Sequence, residues 1–186
     1  GDMSSRPNFL VFMADQHAAR DLGAAGHPAV RTPCLDRLAR EGVTFSAAYA
    51  TYPMCTPARA SFMTGLYTPQ HGVWELGDPL SSALPTWAHA LNRAGYETIL
   101  SGRMHFVGPD QRHGFHRLAA DEMGHAQGRS PIYAYAQWDS PDPARHVMHS
   151  AVLAAGPTET ETEYQRYDRG VCDAARREIR QRLAKL

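Results

Sequence analysis

The first apolar segment of the chain lies at residues 8–13, where Asn8 is followed by five apolar side chains without interruption. Continuous apolar runs of this length are typical of strands buried on both faces of a parallel sheet. Pro7 bounds the run on one side and a polar turn bounds it on the other. The pattern therefore predicts a buried strand whose carboxyl end delivers Asp15 and Gln16.

Three later segments have the spacing of helices. The first begins at Thr32, a capping residue followed by a first-turn proline, and ends at Gly42. The second repeats the Thr-Pro pair directly after Cys55 and ends at Gly65. The third begins at Thr86. Cys55 is therefore predicted to lie just before the N-terminus of a helix.

Extended segments and a terminal helix complete the pattern. Residues 43–49 and 96–100 are predicted to be extended. Residues 107–160 are rich in Pro, Gly, His and Asp, with weak periodicity, which predicts a loop-rich insertion. Apolar side chains recur at helical spacing between Arg and Glu in residues 161–186, which predicts an amphipathic terminal helix. The order strand, helix, helix, strand indicates an α/β layered fold.

Length and charge exclude several classes of partner. The 186 residues suit one domain, residues 1–186, in which we interpret residues 1–6 as a tag or disordered leader. Nineteen basic side chains balance nineteen acidic ones, so no overall charge attracts nucleic acid or an anionic membrane. The apolar runs are far shorter than the ~20 residues of a spanning helix, and no signal peptide is visible. We therefore expect a cytoplasmic protein without nucleic-acid or membrane partners.

The cysteines and histidines match few of the usual sites. Cys34, Cys55 and Cys172 are widely spaced, which fits neither a disulfide framework nor a C-x-x-C zinc site, and at most one pair could bridge. The ten histidines contain no H-x-x-x-H pair with Glu. A thiol-phosphatase loop, C-x5-R, needs Arg where this chain has Ser61. A redox role for Cys55 lacks a nearby resolving cysteine.

The segment Cys55-Thr-Pro-Ala-Arg59-Ala-Ser-Phe-Met-Thr-Gly65 resembles the C-x-P-x-R signature of the formylglycine-dependent sulfatases, in the alkaline-phosphatase-like superfamily. Three more blocks agree with that family in order and spacing: residues 7–16, residues 31–45, and the stretch from Leu84-Pro-Thr to Ser-Gly-Arg-Met-His105. The last resembles the family's G-K-x-H. The resemblance implies an alkaline-phosphatase-like α/β layered fold with a mainly parallel sheet, incomplete in this chain, which would be the N-terminal part of a sulfatase catalytic domain.

The resemblance also implies metal-assisted hydrolysis of a small-molecule sulfate ester. In the family, a formylglycine-generating enzyme oxidises the cysteine that matches Cys55, and the formylglycine hydrate attacks sulfur. Arg59 and His105 would contact the sulfate or the nucleophile. Arg103, which replaces the family's lysine, keeps the charge and adds a planar fork suited to tetrahedral oxyanions.

A divalent cation is implied by the same resemblance. Asp15, Gln16 and Cys55 would hold it, with calcium favoured over magnesium or manganese. Gln16 departs from the second acid that is usual in the family. Its amide oxygen can still coordinate a hard cation, but the site loses one negative charge.

Residues 102–115 resemble the choline-sulfatase branch of the family. A pocket for quaternary ammonium needs aromatic walls. By residue type alone, the candidates are Trp74, Trp87, Tyr133 and Trp138. Three histidines match no family position, and we interpret them as surface or loop residues: His113, His116 and His125.

Two alternative functions stay open from the sequence. A phosphonate monoester or phosphodiester hydrolase of the same superfamily uses the same nucleophile. A non-catalytic remnant would bind anions or a partner without modification of Cys55. Since relatives of this family are usually longer, we expect little turnover from these 186 residues alone. A homo-oligomer is possible, because apolar surface left uncovered favours association.

Overall fold

The computed structural model describes residues 6–121 and 160–184. The chain divides into two compact units, residues 1–49 and residues 50–186. Within the described ranges, no helix is both long and apolar enough to cross a membrane. None of the three cysteines, all of which lie in these ranges, forms a disulfide.

The first unit is built around helix α1 (Pro33–Glu41), which packs with a 3-10 turn at Gly23–Ala25. The predicted helix is confirmed. Thr32 does not cap the helix with its side chain; instead its Oγ1 accepts the N–H of Gly23 at 2.9 Å and donates to Asp36 Oδ1 at 2.7 Å. A Cβ at Gly23 would lie 2.6 Å from an Asp36 carboxylate oxygen, so glycine permits this close approach.

The predicted strand at residues 8–13 is wrong for this structure, because these residues lie outside any β-strand. Leu10 is 78% exposed and Phe12 is 75% exposed. A strand forms only where a neighbouring strand completes its backbone hydrogen bonds, and the described part of the first unit contains no strand. Residues 43–49 likewise form no strand and include a turn. An apolar run shows that a segment is suited to burial. It does not show that a second strand is present to pair with it.

The described part of the second unit combines helices with a two-stranded parallel sheet. Its elements in chain order are α2 (Cys55–Thr64), α3 (Thr68–His71), α4 (Trp87–Arg93), β1 (Ile99–Ser101), β2 (Arg117–Ala120) and α5 (Glu163–Leu183).

Three predictions in this unit need correction. Helix α2 begins at Cys55 rather than after it, with Met54 as the capping residue, so Cys55 is the first helical residue. Strand β1 is shorter and later than the predicted extended segment 96–100. Strand β2 lies inside the predicted loop-rich insertion, of which residues 122–159 lie outside the described residues. A four-residue strand has too few positions to show periodicity, so β2 could not be recognised before its partner was known.

The terminal helix and the helix after Thr86 are confirmed. Thr86 Oγ1 accepts the N–H of His89 at the start of α4. Helix α5 contacts both strands of the sheet. The strands pair in the register Ile99 with Arg117, and the register shifts after Leu100. The sheet and α5 therefore hold the start of the segment after β1, which carries the predicted site residues Arg103 and His105.

The core of the second unit lies between α2, α4 and the segments next to the two strands. Met63 and Ala88 are fully buried where α2 meets α4. They pack with Met104 and Phe106, which follow β1, and with Phe115, which precedes β2. The segment between β1 and β2 therefore packs against α2 and α4 through these apolar side chains.

Candidate active site

Cys55 and Arg59 lie one turn apart on α2. Side chains with this spacing share a helix face, with Cβ atoms about 5–6 Å apart. Cys55 is half-buried, whereas Arg59 is only 7% exposed. Arg59 donates from Nη1 to the Arg103 carbonyl oxygen at 2.8 Å and lies 3.6 Å from Met104 Sδ. The buried arginine therefore ties the face that carries Cys55 to the segment that carries Arg103 and His105.

The backbone that follows β1 is strained at His105. This residue is nearly buried and has φ +55°, a conformation that is uncommon for residues other than glycine. Such strain costs about 1–3 kcal/mol and persists only where the surrounding structure enforces it. Strained residues cluster at functional sites, which adds a structural reason to single out His105.

Gln111 and His113 hold the segment just after His105. Gln111 donates from Nε2 to the carbonyl oxygens of Phe106, at 2.8 Å, and Gly108, at 2.6 Å. The His113 ring packs on the Phe106 ring with centroids 4.5 Å apart. The interpretation of His113 as a surface or loop residue is correct for the loop, because His113 lies in a turn, and wrong for the surface, because it is 1% exposed. Its neighbours in space, not its sequence context, bury it.

Burial lowers the pKa of His113 below its ordinary value, and this outweighs the opposing effect of the Asp110 carboxylate. The two side chains are 3.6 Å apart. Burial would raise the pKa of Asp110, but backbone N–H groups of His113 and Arg112 donate to its carboxylate, and the net shift is downward. Both ring nitrogens of His113 are buried, and within residues 6–121 and 160–184 neither makes a hydrogen bond of normal geometry. His113 is therefore neutral at neutral pH. Of the other two histidines in that group, His116 is exposed, as predicted, and His125 lies outside the described residues.

A buried serine–histidine pair joins α2 to α3, and no sequence signal pointed to it. Ser61 Oγ lies 2.9 Å from His71 Nε2. The N–H of Val73 donates to His71 Nδ1 at 3.1 Å, so the ring proton must sit on Nε2 and is donated to Ser61. A histidine bound in this way cannot take the proton of the serine. The pair is therefore a structural fastening of α2, not a nucleophile with its base.

The Arg103 side chain reaches α5. Its guanidinium carbon lies 5.5 Å from the ring centroid of Tyr164 and 5.6 Å from that of Tyr167. Both distances are within the range of a cation–π interaction. Arg103 is half-buried at this position. No sequence signal connected these residues, because an insertion separates them.

Asp15 and Gln16 belong to the first unit and are exposed on a bend of the chain. Gln16 has φ +56°, another strained backbone. Their side-chain oxygens suit a hard divalent cation. Within residues 6–121 and 160–184, no three His, Cys, Asp or Glu side chains are grouped to hold a metal. The roles of Asp15 and Gln16 as cation ligands therefore stay a prediction. Cys55, the third predicted ligand, lies in the second unit.

The aromatic candidates fall into different environments. Trp74 is 48% exposed. Trp87 instead packs edge-on against Phe62 and Phe115, with centroids 5.9 and 5.3 Å away. Trp87 is therefore part of the packing around the core. Tyr133 and Trp138 lie outside the described residues.

Several known proteins are similar to this chain in sequence and in fold. The Sulfatase family model matches residues 7–184. The choline-sulfatase of Rhizobium meliloti (strain 1021) is 41% identical over 131 residues, which cover 70% of this chain and 26% of that protein. Phosphonate monoester hydrolase of Agrobacterium radiobacter superposes with a TM-score of 0.64 at 25% identity, over 94% of this chain and 38% of that one. BT4656, solved with its substrate D-glucosamine-2-N,6-O-disulfate, superposes with a TM-score of 0.58 at 30% identity, over 61% and 23%.

These comparisons bear on both fold and family. The chain spans about a quarter of the length of the curated relatives it matches, for example 26% of the choline-sulfatase. The structural neighbours are alkaline-phosphatase-like, and the mixed helices and parallel strand pair are part of that α/β fold, as the sequence predicted. Because the family model covers nearly all of its length, this protein belongs to the sulfatase family.

Proposed function

We propose that this chain carries the nucleophile and part of the anion site of a sulfuric ester hydrolase. The observation that supports this best is the hydrogen bond from Arg59 to the Arg103 carbonyl oxygen, 2.8 Å long. It couples the helix face of Cys55 to the segment of Arg103 and His105. Three basic side chains can offset the charge of an anionic ester, and a cysteine at a helix start can be the precursor of a nucleophile.

Cys55 is the precursor of the nucleophile in this proposal. It is half-buried at the first position of a ten-residue helix, so it is accessible from one side. The positive end of the helix dipole favours an anionic group there. Oxidised to formylglycine by the modifying enzyme and hydrated, the residue would attack sulfur through one hydroxyl group while the bond from sulfur to the ester oxygen breaks and the alcohol leaves. The second hydroxyl group would then lose its proton, re-form the aldehyde and expel sulfate.

Arg59, Arg103 and His105 would offset the charge of the sulfate. A guanidinium presents N–H donors in a planar fork that matches tetrahedral oxyanions. Arg59 is held inside the core by its bond to the Arg103 carbonyl, so its position is fixed before substrate arrives. The strained backbone of His105 persists only because the surrounding structure enforces it, so the position of this residue is also fixed before substrate arrives. Such preorganisation lets the groups act without rearrangement during the reaction.

Asp15 and Gln16 would supply oxygen ligands to a divalent cation, for which we favour calcium. When bound, a divalent cation supplies positive charge and acts as a Lewis acid. One carboxylate and one amide give this pair a single negative charge, so its affinity for a cation depends on further ligands.

The substrate class is a small-molecule sulfate ester, and a choline-type ester is the one that the 41% identity to a choline-sulfatase favours. A quaternary ammonium group would need an aromatic wall. Trp74 is the exposed tryptophan among the described candidates.

Mass spectrometry of Cys55 tests the proposal without requiring turnover. The chain is expressed with a formylglycine-generating enzyme and digested, and a loss of about 18 Da is expected on the Cys55 peptide. Peptides with Cys34 and Cys172 are internal controls and should keep their mass, because neither lies in a C-x-P-x-R sequence. An unmodified Cys55 under these conditions would contradict the proposal and favour a non-catalytic anion-binding protein.

A second candidate is phosphonate monoester or phosphodiester hydrolysis, which the TM-score of 0.64 to a phosphonate monoester hydrolase favours. It uses the same nucleophile and the same basic groups. Equilibrium binding of an aryl sulfate and an aryl phosphodiester to the formylglycine-containing chain separates the two without requiring turnover. Tighter binding of the phosphodiester would support the second candidate.

A further inference from the structure

Two tyrosines of α5 lie against the guanidinium of Arg103. Tyr164 and Tyr167 are three positions apart, so both project from the same side of the helix. Their ring centroids are 5.5 and 5.6 Å from the guanidinium carbon. Tyr167 is half-buried, and Tyr164 is 53% exposed. Two aromatic contacts to one arginine, from one helix face, form a built environment for the cation.

Helix α5 is also bonded to the chain at the end of β1 and just after β2. Ser101 Oγ donates to the Val171 carbonyl oxygen at 2.9 Å. Gly102, with φ +96°, passes so close to α5 that an added Cβ would lie 2.9 Å from a Val171 methyl carbon. The Tyr167 hydroxyl donates to the Asp121 carbonyl oxygen at 3.2 Å, just after β2. The rings therefore stand at a fixed position relative to the backbone that carries Arg103.

Arginine suits this environment better than lysine. A guanidinium is planar and weakly hydrated, so its face can rest on an aromatic ring while its N–H donors lie in the plane around the edge. A lysine ammonium is a strongly hydrated point charge with no face to stack. The residue after Gly102 is an arginine in this chain, and the tyrosine pair gives that choice a physical reason.

We propose that Tyr164 and Tyr167 are positioning residues that hold the faces of the Arg103 guanidinium, so that its in-plane N–H groups are presented to a tetrahedral oxyanion. The inference rests on the proposed function, in which Arg103 binds the sulfate group. It adds that α5 sets the position of this donor, and that the pair makes the site specific for arginine at residue 103.

The test follows the Arg103 side chain by NMR in the full 186-residue chain, with inorganic sulfate as the probe. Its Nε–H signal is assigned by its loss in Arg103→Lys. Ring currents should displace this signal in the wild type, and sulfate should move it. The variant Tyr164→Phe/Tyr167→Phe keeps both ring faces and removes the Tyr167 hydrogen bond to Asp121, so it should retain the displacement and most of the sulfate affinity.

The variant Tyr164→Leu/Tyr167→Leu removes the rings. It should lose the ring-current displacement and bind sulfate about tenfold more weakly, because the freed Arg103 side chain must then be ordered when sulfate binds. If circular dichroism shows that the double variant unfolds α5, the more exposed Tyr164→Leu alone should show about half of both effects. Tyr164→Phe is its matched control.

Several results would overturn the inference. One is a Leu variant that keeps the Arg103 displacement and the sulfate affinity. Another is a Phe variant that loses both, which would assign the effect to the hydroxyl groups. A different result would point to the proposed function instead: a wild-type Arg103 signal that is displaced by the rings but unmoved by sulfate. Arg103 would then not be an anion ligand, and its positioning for an anion would be refuted, although its contact with the tyrosines would stand.

Discussion

Replacing Ser61 by alanine tests whether the serine–histidine pair fastens α2. Both side chains are 6% exposed, and Ser61 Oγ is the acceptor of the proton on His71 Nε2. In Ser61→Ala the N–H of His71 keeps its buried position and loses its acceptor. Because Nδ1 is already occupied by the N–H of Val73, the ring cannot change tautomer to avoid the loss.

The expected cost follows from these contacts. A buried donor left without an acceptor costs about 1–3 kcal/mol. Alanine is a better helix former than serine by about 0.5 kcal/mol, which offsets part of this cost in α2. The free energy of unfolding should therefore fall by about 0.5–2.5 kcal/mol, from the difference between these two effects.

Urea unfolding followed by tryptophan fluorescence measures the change, with the m-value expected to stay constant. Ser81→Ala is the matched control, because Ser81 is exposed and should change the free energy of unfolding by less than about 0.5 kcal/mol. Equal effects of the two substitutions would refute the reasoning, since they would mean that His71 finds another acceptor or that the pair is not formed.

Two further predictions concern the buried histidines and the segment after His105. Burial lowers the pKa of His71 and of His113, so the unfolded chain takes up protons near pH 6.5 that the folded chain does not bind. Stability should therefore be complete above that pH and fall as the pH decreases below it, by up to about 1.4 kcal/mol per pH unit for each histidine. Urea midpoints at pH 7.5 and 5.5 measure this fall, and equal midpoints would contradict it. Gln111→Leu removes the donors to the Phe106 and Gly108 carbonyl oxygens, so amide exchange in residues 105–108 should speed up about tenfold while amides of α4 stay unchanged. If amide exchange instead speeds up equally across the chain after this substitution, Gln111 stabilises the whole unit.

The helices were the elements best predicted from sequence. Their starts and stops are local: Thr86 lies directly before α4, and Gly65 with φ +72° ends α2. The strands were predicted poorly, because a strand depends on a partner elsewhere in the chain. Residues 8–13 have the apolar pattern of a strand and lie in none, whereas residues 117–120 have little pattern and pair with β1.

The sequence by itself determined the family and which residues to examine, because a nucleophile motif such as Cys55 to Arg59 is short and continuous. It also determined helical spacing, which is a property of neighbours along the chain. Only the tertiary structure decided which distant groups meet. The burial of His113, the proton direction between His71 and Ser61, and the contact of Arg103 with the α5 tyrosines all depend on packing between segments far apart in sequence. Burial and hydrogen-bond partners are properties of the assembled surface, so no local pattern encodes them.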